Sequence, residues 1–84
     1  MARIGMARIG SVSSPQSLGR LLQQARLARG LSQQQLAHEL GISQGYVSEL
    51  ETGKASLALT RIFEVTRVTG MTMYVEVPEG SSDA

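Results

Sequence analysis

The sequence predicts a mainly α-helical fold of four to five helices that ends in one β-strand. Between residues 17 and 69, apolar side chains recur at three- and four-residue spacing, and glycines interrupt the pattern. Such spacing is typical of amphipathic helices packed on one core. After Gly70 the spacing changes to two, which is typical of a half-buried strand.

Size and composition predict one small folded domain. The chain has 84 residues, of which 42% are hydrophobic and 18% charged, so it lacks the composition of a disordered protein. It contains no cysteine, so neither disulfides nor a thiolate-bound metal can supplement a small core. We therefore expect a homodimer.

The sequence does not favour an enzyme. One histidine, His38, and no cysteine leave no metal-ligand cluster, and we expect no metal and no cofactor. Paired carboxylates, a nucleophile beside a base and a phosphate-binding glycine loop are also missing from the pattern. No apolar run resembles a signal peptide or a membrane span, so we expect a cytoplasmic protein without membrane contact.

Charge is unevenly distributed although the net charge is only +1. Residues 1–29 hold five arginines and no acid, whereas residues 30–84 hold three basic and seven acidic groups. This asymmetry permits a positive face towards phosphate groups.

Residues 1–15 are expected to form a flexible arm, because MARIG occurs twice in tandem and a Ser/Pro-rich stretch follows. The arm is either a solvated tail or a basic segment that reaches nucleic acid. The domain proper is expected at 16–70, a dimerisation strand at 71–77 and a second flexible tail at 78–84.

Serine and glycine mark the expected helix ends. The first helix runs from Ser17 to Gly30. The second has Ser32 as its N-cap and stops at Gly41, and the third begins at Ser43. The last helix spans 57–69, with a main apolar face of Leu59, Ile62, Phe63 and Thr66.

Val65 and Val68 form a neighbouring apolar strip on the last helix. They either widen its buried face or meet a partner subunit. No second strand is expected in the chain, so the strand should pair with its symmetry mate across a homodimer. The expected dimer interface comprises Val65, Val68, Met71, Met73 and Val75.

The connection between the second and third helices is the most specific local signal. Gly41-Ile42 is a tight turn, since glycine accepts a left-handed backbone. Ala37 is small where the two helices touch, and Val47 and Leu50 are larger aliphatic residues after the turn. This spacing is typical of a helix-turn-helix unit.

These residues resemble the Cro/repressor (XRE) family of lambda-repressor-like domains over residues 17–70. The resemblance is carried by Leu18-Gly19, Arg26, Gly30-Leu31-Ser32-Gln33, Leu36-Ala37, Gly41-Ile42-Ser43, Val47-Ser48 and Leu50-Glu51-Thr52-Gly53-Lys54. The continuation from Leu59-Thr60 to Val75 is similar to HipB-type antitoxins, which implies a dimeric autorepressor paired with a HipA-like kinase toxin.

In helix-turn-helix geometry the third helix enters the major groove of double-stranded DNA. Gln44 can pair with adenine, Gly45 lets the backbone come close, and Tyr46 can contact a thymine methyl or a phosphate. Glu49 is the weakest candidate, because phosphate repels it unless it accepts from cytosine. The residues expected to read bases are Ser43, Gln44, Gly45, Tyr46, Ser48 and Glu49.

Positions at the ends of these helices are expected to clamp phosphates, which supplies affinity and register but no sequence choice. They are Ser32, Gln33, Thr52 and Lys54. By the resemblance, Arg26 and Glu51 form a structural ion pair between the first helix and the end of the third.

Three functional readings remain open from the sequence. The first is a dimeric repressor on a palindromic operator, in its antitoxin form also bound to a toxin. The second is a protein-binding inhibitor of a partner toxin, with DNA binding secondary. The third is a phage-type or restriction-controller regulator without a toxin.

Overall fold

A computed structural model describes residues 7–54 and 56–79. It contains four helices and a two-stranded sheet, which fits the predicted mainly helical helix-turn-helix fold. In chain order the elements are β1 (Ala7–Val12), α1 (Pro15–Ala28), α2 (Gln33–Leu40), α3 (Gln44–Glu51), α4 (Leu57–Thr69) and β2 (Met73–Pro78).

The helix caps around α2 and α3 are those expected from the sequence. The Ser32 hydroxyl accepts from the Gln35 amide, and the Gln35 side chain accepts from the Ser32 amide. Ser43 caps α3 by accepting from the amide of Tyr46. Gly41 ends α2 with φ of 70°, so the turn into α3 uses the left-handed backbone that glycine favours.

Helix α1 begins two residues earlier than the sequence predicts. Ser14 is its N-cap and Pro15 occupies the first turn, where a missing amide hydrogen costs nothing. The hydroxyls of Ser14 and Ser17 complete a capping box in which Ser17 takes the usual place of glutamate or glutamine. The apolar spacing alone indicates the later start, because it begins only after Ser17.

The prediction that the chain contains a single strand is wrong. Residues 7–12, expected in the flexible arm, form β1 and pair antiparallel with β2, from Ala7 opposite Pro78 to Val12 opposite Met73. The sequence does not reveal this strand, because a half-buried strand is expected to have an apolar residue at every second position. The inner face of β1 instead carries Arg8, Gly10 and Val12, of which only Val12 is a large apolar residue. β2 thus has a hydrogen-bonded neighbour without a second molecule.

The sheet packs on α1 through the face that carries Gly10. A Cβ at Gly10 would lie 2.9 Å from the terminal methyl groups of Leu21, so glycine makes room for a helix side chain against the strand. Arg8, on the same face, donates to Gln24 of α1 at 3.0 Å. Their partners on β2, Val75 and Val77, lie on this face too, because directly paired residues share a side of the sheet.

Among the residues that the structure describes, the buried apolar side chains come from five of the six elements. β1, α2, α3, α4 and β2 supply Val12, Ala37, Val47, Phe63 and Val77 respectively. Helix α1 contacts β1, β2, α3 and α4, and α2 packs on α3.

Helix α4 buries a narrower face than the sequence suggests. Phe63 and Thr66 are buried, but Ile62, expected on the same face, is exposed. Ile62 lies on the same side of the helix as the exposed Val65, and Val68 follows one turn later. The helix therefore has an apolar strip that its own chain leaves uncovered.

Gly19 sets the distance between α1 and α3. A Cβ at this position would lie 2.5 Å from the carbonyl oxygen of Glu51 and 2.6 Å from that of Leu50. Both neighbours are backbone atoms, which cannot rotate away as a side chain would. Only glycine allows the last turn of α3 to approach α1 this closely.

Gly19→Ala is therefore expected to lower the free energy of unfolding by about 1–3 kcal/mol, as overpacking does, despite the higher helix propensity of alanine. Urea denaturation monitored by circular dichroism measures the change. Gly45→Ala is the matched control, because a Cβ there meets only the Ser43 hydroxyl at 3.9 Å. It should stabilise α3 by up to about 1 kcal/mol. Equal effects of the two substitutions would contradict the steric argument.

Candidate nucleic-acid interface

An ion pair behind the turn joins α1 to the last residue of α3. Arg26 Nε donates to Glu51 Oε2 at 2.6 Å, and Nη2 donates to Oε1 at 3.0 Å. The two side chains are only 7% and 4% exposed. Arg26 also donates to the carbonyl oxygen of Leu31 at 2.8 Å, so the guanidinium is bonded on several sides. The structure thus brings together the two residues that the resemblance paired.

The pair keeps both groups charged despite their burial. The bidentate hydrogen bonds from Arg26 lower the pKa of Glu51 below its ordinary value, against the opposing effect of desolvation. The same hydrogen bonds raise the pKa of Arg26. A hydrogen bond from Gln33 lowers the pKa of Glu51 further. The carboxylate is therefore an anion throughout the neutral range.

Gln33 extends this buried pair to the surface. Its Nε2 donates to Glu51 Oε1 at 3.0 Å, and its Oε1 accepts from Gln44 Nε2 at 3.2 Å. One amide thus bridges the first residue of α2, the last of α3 and the first of α3. The side chain of Gln44 is positioned from the protein core although it is itself exposed.

The N-terminal half of α3 presents four of the residues expected to read bases. Ser43, Gln44, Gly45 and Tyr46 are all exposed, and the absence of a side chain at Gly45 leaves open space between its neighbours. The Ser43 oxygen accepts the capping bond, which leaves its hydrogen for an outside acceptor. Consecutive exposed donors and acceptors at a helix start suit contact with base edges.

Ser48 and Glu49 occupy different surroundings in the second turn of α3. Ser48 is half-buried, whereas Glu49 is exposed. Glu49 lies 3.7 Å from the ammonium of Lys54, in an ion pair that solvent screens. Of the six residues, Glu49 and Ser48 are thus the less available for an outside partner.

The four expected phosphate contacts are already involved in local bonds. Ser32 caps α2 and Gln33 holds Glu51, as described above. The Thr52 hydroxyl donates to the backbone carbonyl oxygens at positions 48 and 49. Lys54 is the only cation among the expected DNA contacts, and its exposed ammonium can exchange Glu49 for a phosphate. This candidate surface therefore offers amides and hydroxyls more than net charge.

Two features beside this surface are not evident from the sequence. Gly53 adopts φ of +86°, and a Cβ there would lie 2.6 Å from the Cα of Gln16, so the loop before Lys54 touches the start of α1. Gly19 allows the close approach of α1 and α3. A glycine in a helix interior is an available signal, since it often marks a close backbone contact.

Residues 22–74 match the family model described as helix-turn-helix, a model of the XRE type. The chain belongs to this helix-turn-helix family. The match spans more than half of the sequence and includes α2, the turn, α3 and α4. No curated protein and no solved structure matches the chain.

Membership of the XRE-type family makes this chain a DNA-binding regulator. In the helix-turn-helix class the second helix of the unit enters the major groove, and α3 occupies that position in this chain. Over residues 7–54 and 56–79, no cluster of histidine or acidic side chains could hold a metal ion, and no helix is long and apolar enough to cross a membrane.

Acid should weaken the fold of this helix-turn-helix protein through Glu51. Because the folded-state pKa of Glu51 is lowered, the stabilisation by the carboxylate is complete above its ordinary pKa and is lost as the pH falls through the lowered value. Glu51→Gln removes this pH dependence. It also leaves the buried Arg26 without a counter-charge, which lowers the free energy of unfolding by about 3–5 kcal/mol at neutral pH. Urea denaturation at a series of pH values measures both effects.

Glu49→Gln is the matched control for this measurement. It removes an exposed ion pair with Lys54, and such pairs contribute at most about 1 kcal/mol. A similar loss of stability in the two variants, or an unchanged acid dependence in Glu51→Gln, would show that the buried pair is not the source.

Proposed function

We propose that this protein is a dimeric, sequence-specific transcriptional repressor that binds a palindromic operator through α3. The observation that carries the proposal is the hydrogen-bonded series from Glu51 through Gln33 to Gln44, which fixes a base-reading side chain at the exposed start of α3. A side chain oriented before binding loses less conformational entropy in the complex. This favours selective recognition over general attraction to DNA.

The hydrogen-bonding groups that Gln44 has free match those of adenine. One hydrogen of its side-chain NH2 is donated to Gln33, which leaves the second hydrogen and the oxygen free of protein partners among the described residues. Adenine presents the acceptor N7 and the donor N6 side by side in the major groove. Gln44 can therefore make the paired contact without breaking its bond to Gln33.

Dimerisation is supported by the apolar strip on α4. Val65 and Val68 are exposed, and Val68 retains 87% of its accessible surface. Met71, just beyond the helix, is exposed as well, whereas Met73 and Val75 are half-buried on the α1 side of the sheet. We therefore place the proposed interface on α4 and Met71 rather than on the strand. In the dimer, two copies of α3 would lie about 34–36 Å apart on a palindrome.

The antitoxin role is part of the same proposal. The resemblance to HipB-type antitoxins over residues 59–75 supports a protein that represses its own operon and binds a HipA-like kinase toxin. A protein partner also has a free surface here, because Ile9 and Tyr74 are exposed on the outer face of the sheet. Co-purification with a kinase encoded beside this gene tests the role. If no such complex forms, the result favours the alternative of a regulator without a toxin partner.

Gln44→Ala should weaken binding to the operator by about 1–3 kcal/mol at the adenine it reads and relax the preference at that base pair. Lys54→Ala should instead weaken binding equally to all sequences and reduce the slope of log affinity against log salt by about one for each phosphate that Lys54 neutralises. Titrations of labelled upstream DNA at two salt concentrations measure both.

Gln34→Ala is the control for Gln44→Ala, since Gln34 is an exposed amide on α2 outside the hydrogen-bonded series. Its binding should match that of the unchanged protein. If Gln44→Ala bound operator and scrambled DNA with the same affinities as the unchanged protein, reading by α3 through Gln44 would be wrong.

Val68→Asp should convert the protein to a monomer with a folded helix-turn-helix. The substitution places a charge on the apolar strip, whose burial in a dimer would then require desolvation of a carboxylate. Light scattering measures the mass, and circular dichroism checks the fold. Arg67→Asp, next to it on α4 but off the strip, controls for the added negative charge. A dimer in both variants would exclude this strip from the interface.

A further inference from the structure

An apolar groove runs behind the recognition helix and is open in the single chain. It has a volume of about 380 Å³ and is lined mainly by aliphatic side chains of α1, α2 and α3. They include Leu22, Leu36, Leu40, Val47 and Leu50. Leu40 at its rim is 57% exposed, and no residue of α4 lines the groove.

Helix α4 of the same chain carries an apolar strip that no other part of the described chain covers. Ile62, Val65 and Val68 recur at the three-residue spacing with which helices dock into apolar grooves, and all three are exposed. Both surfaces are mainly apolar, so each offers the kind of neighbour that the other lacks.

The strip cannot reach the groove of its own chain in this structure. Phe63 and Thr66 hold α4 by a face that lies about 130° around the helix from the centre of the strip, because successive residues of a helix are separated by about 100°. Turning the strip inwards would expose Phe63, which is one of the largest fully buried side chains. A second molecule can approach the strip while Phe63 stays in place.

We propose that two copies of this chain complete each other, with the α4 strip of one seated in the α1–α2–α3 groove of the other. This inference rests on the proposed dimer and specifies its interface. Twofold symmetry makes the contact twice, so both grooves and both strips are covered by the same association. A contact between the two strips alone would leave both grooves open.

This arrangement couples dimerisation to DNA reading. Val47 and Leu50, which line the groove, belong to α3, and the groove also borders the Arg26–Glu51 pair. The partner helix would therefore pack against the inner side of the recognition helix. It would exclude water from the ion pair that positions Gln33 and, through it, Gln44.

Cross-linking between two differently modified chains tests the contact, since the protein has no cysteine of its own. Leu40→Cys marks the groove, and Val68→Cys, in a chain with a size tag, marks the strip. The two proteins are mixed, allowed to exchange and treated with a flexible bismaleimide, which does not demand disulfide geometry. Gln34→Cys replaces Leu40→Cys in the control mixture, because Gln34 is on α2 but outside the groove.

The expected result is a mixed product from Leu40→Cys and Val68→Cys that forms at least about tenfold faster than from the control pair. A contact held within the dimer provides an effective concentration on the order of millimolar. Self-linked Val68→Cys without the mixed product would overturn the groove contact and retain the dimer, with the two strips facing each other.

Two further outcomes separate this inference from the proposed function. A chain carrying both Leu40→Cys and Val68→Cys that links only within a monomer would show that α4 closes on its own groove, which overturns the exchange. A monomer by light scattering that forms no cross-link in any mixture would overturn the exchange and the proposed dimer together. Operator binding by such a monomer would still support reading through α3.

Discussion

The fold of the candidate DNA-binding surface depends on the buried ion pair between Arg26 and Glu51. Taking two charges out of water is costly, and a buried pair is retained only where its geometry is nearly ideal and its remaining hydrogen-bonding groups are satisfied. Here Leu31 and Gln33 satisfy them. The pair therefore constrains the end of α3 relative to α1, and Gly19 permits the backbones to come close enough for it to form. Because α3 is a rigid helix, the buried ion pair at its end also fixes the orientation of its exposed start.

Much of the helical core could be predicted because its signals are local. Helix starts are marked by capping residues whose hydrogen bonds span only three residues, as at Ser32 with Gln35 and at Ser43. β1 could not be predicted in this way, because its stability comes from pairing with a distant β2, and Arg8 and Gly10 hide its alternation. The link from Gln33 to Gln44 was equally hidden. Both residues were expected at the DNA surface, but their contact follows only from how the turn folds α2 beside α3.

The near neutrality of this surface has a bearing on how affinity and selectivity are divided. Most regulators gain non-specific affinity from several cations placed along the phosphates. Among the expected DNA contacts of this chain only Lys54 carries a positive charge, and it pairs with the acid Glu49, so the surface gains little attraction from charge alone. In the proposed dimer, the link between two such protomers would compensate, because the second half-site would then be bound at a high effective concentration. Under the proposed function, the apolar strip on α4 and the polar face of α3 would thus both contribute to operator binding.

The pairing of β1 with β2 also affects how the protein is made. During synthesis, β1 and all four helices emerge from the ribosome before β2 does. Until then β1 has an unpaired edge, and Val12 lacks its cross-strand neighbour Met73. The helix-turn-helix can form early from contacts between neighbouring segments, whereas the sheet closes last. A nascent or C-terminally clipped chain would consequently expose the unpaired edge of β1 beside an already folded helix-turn-helix.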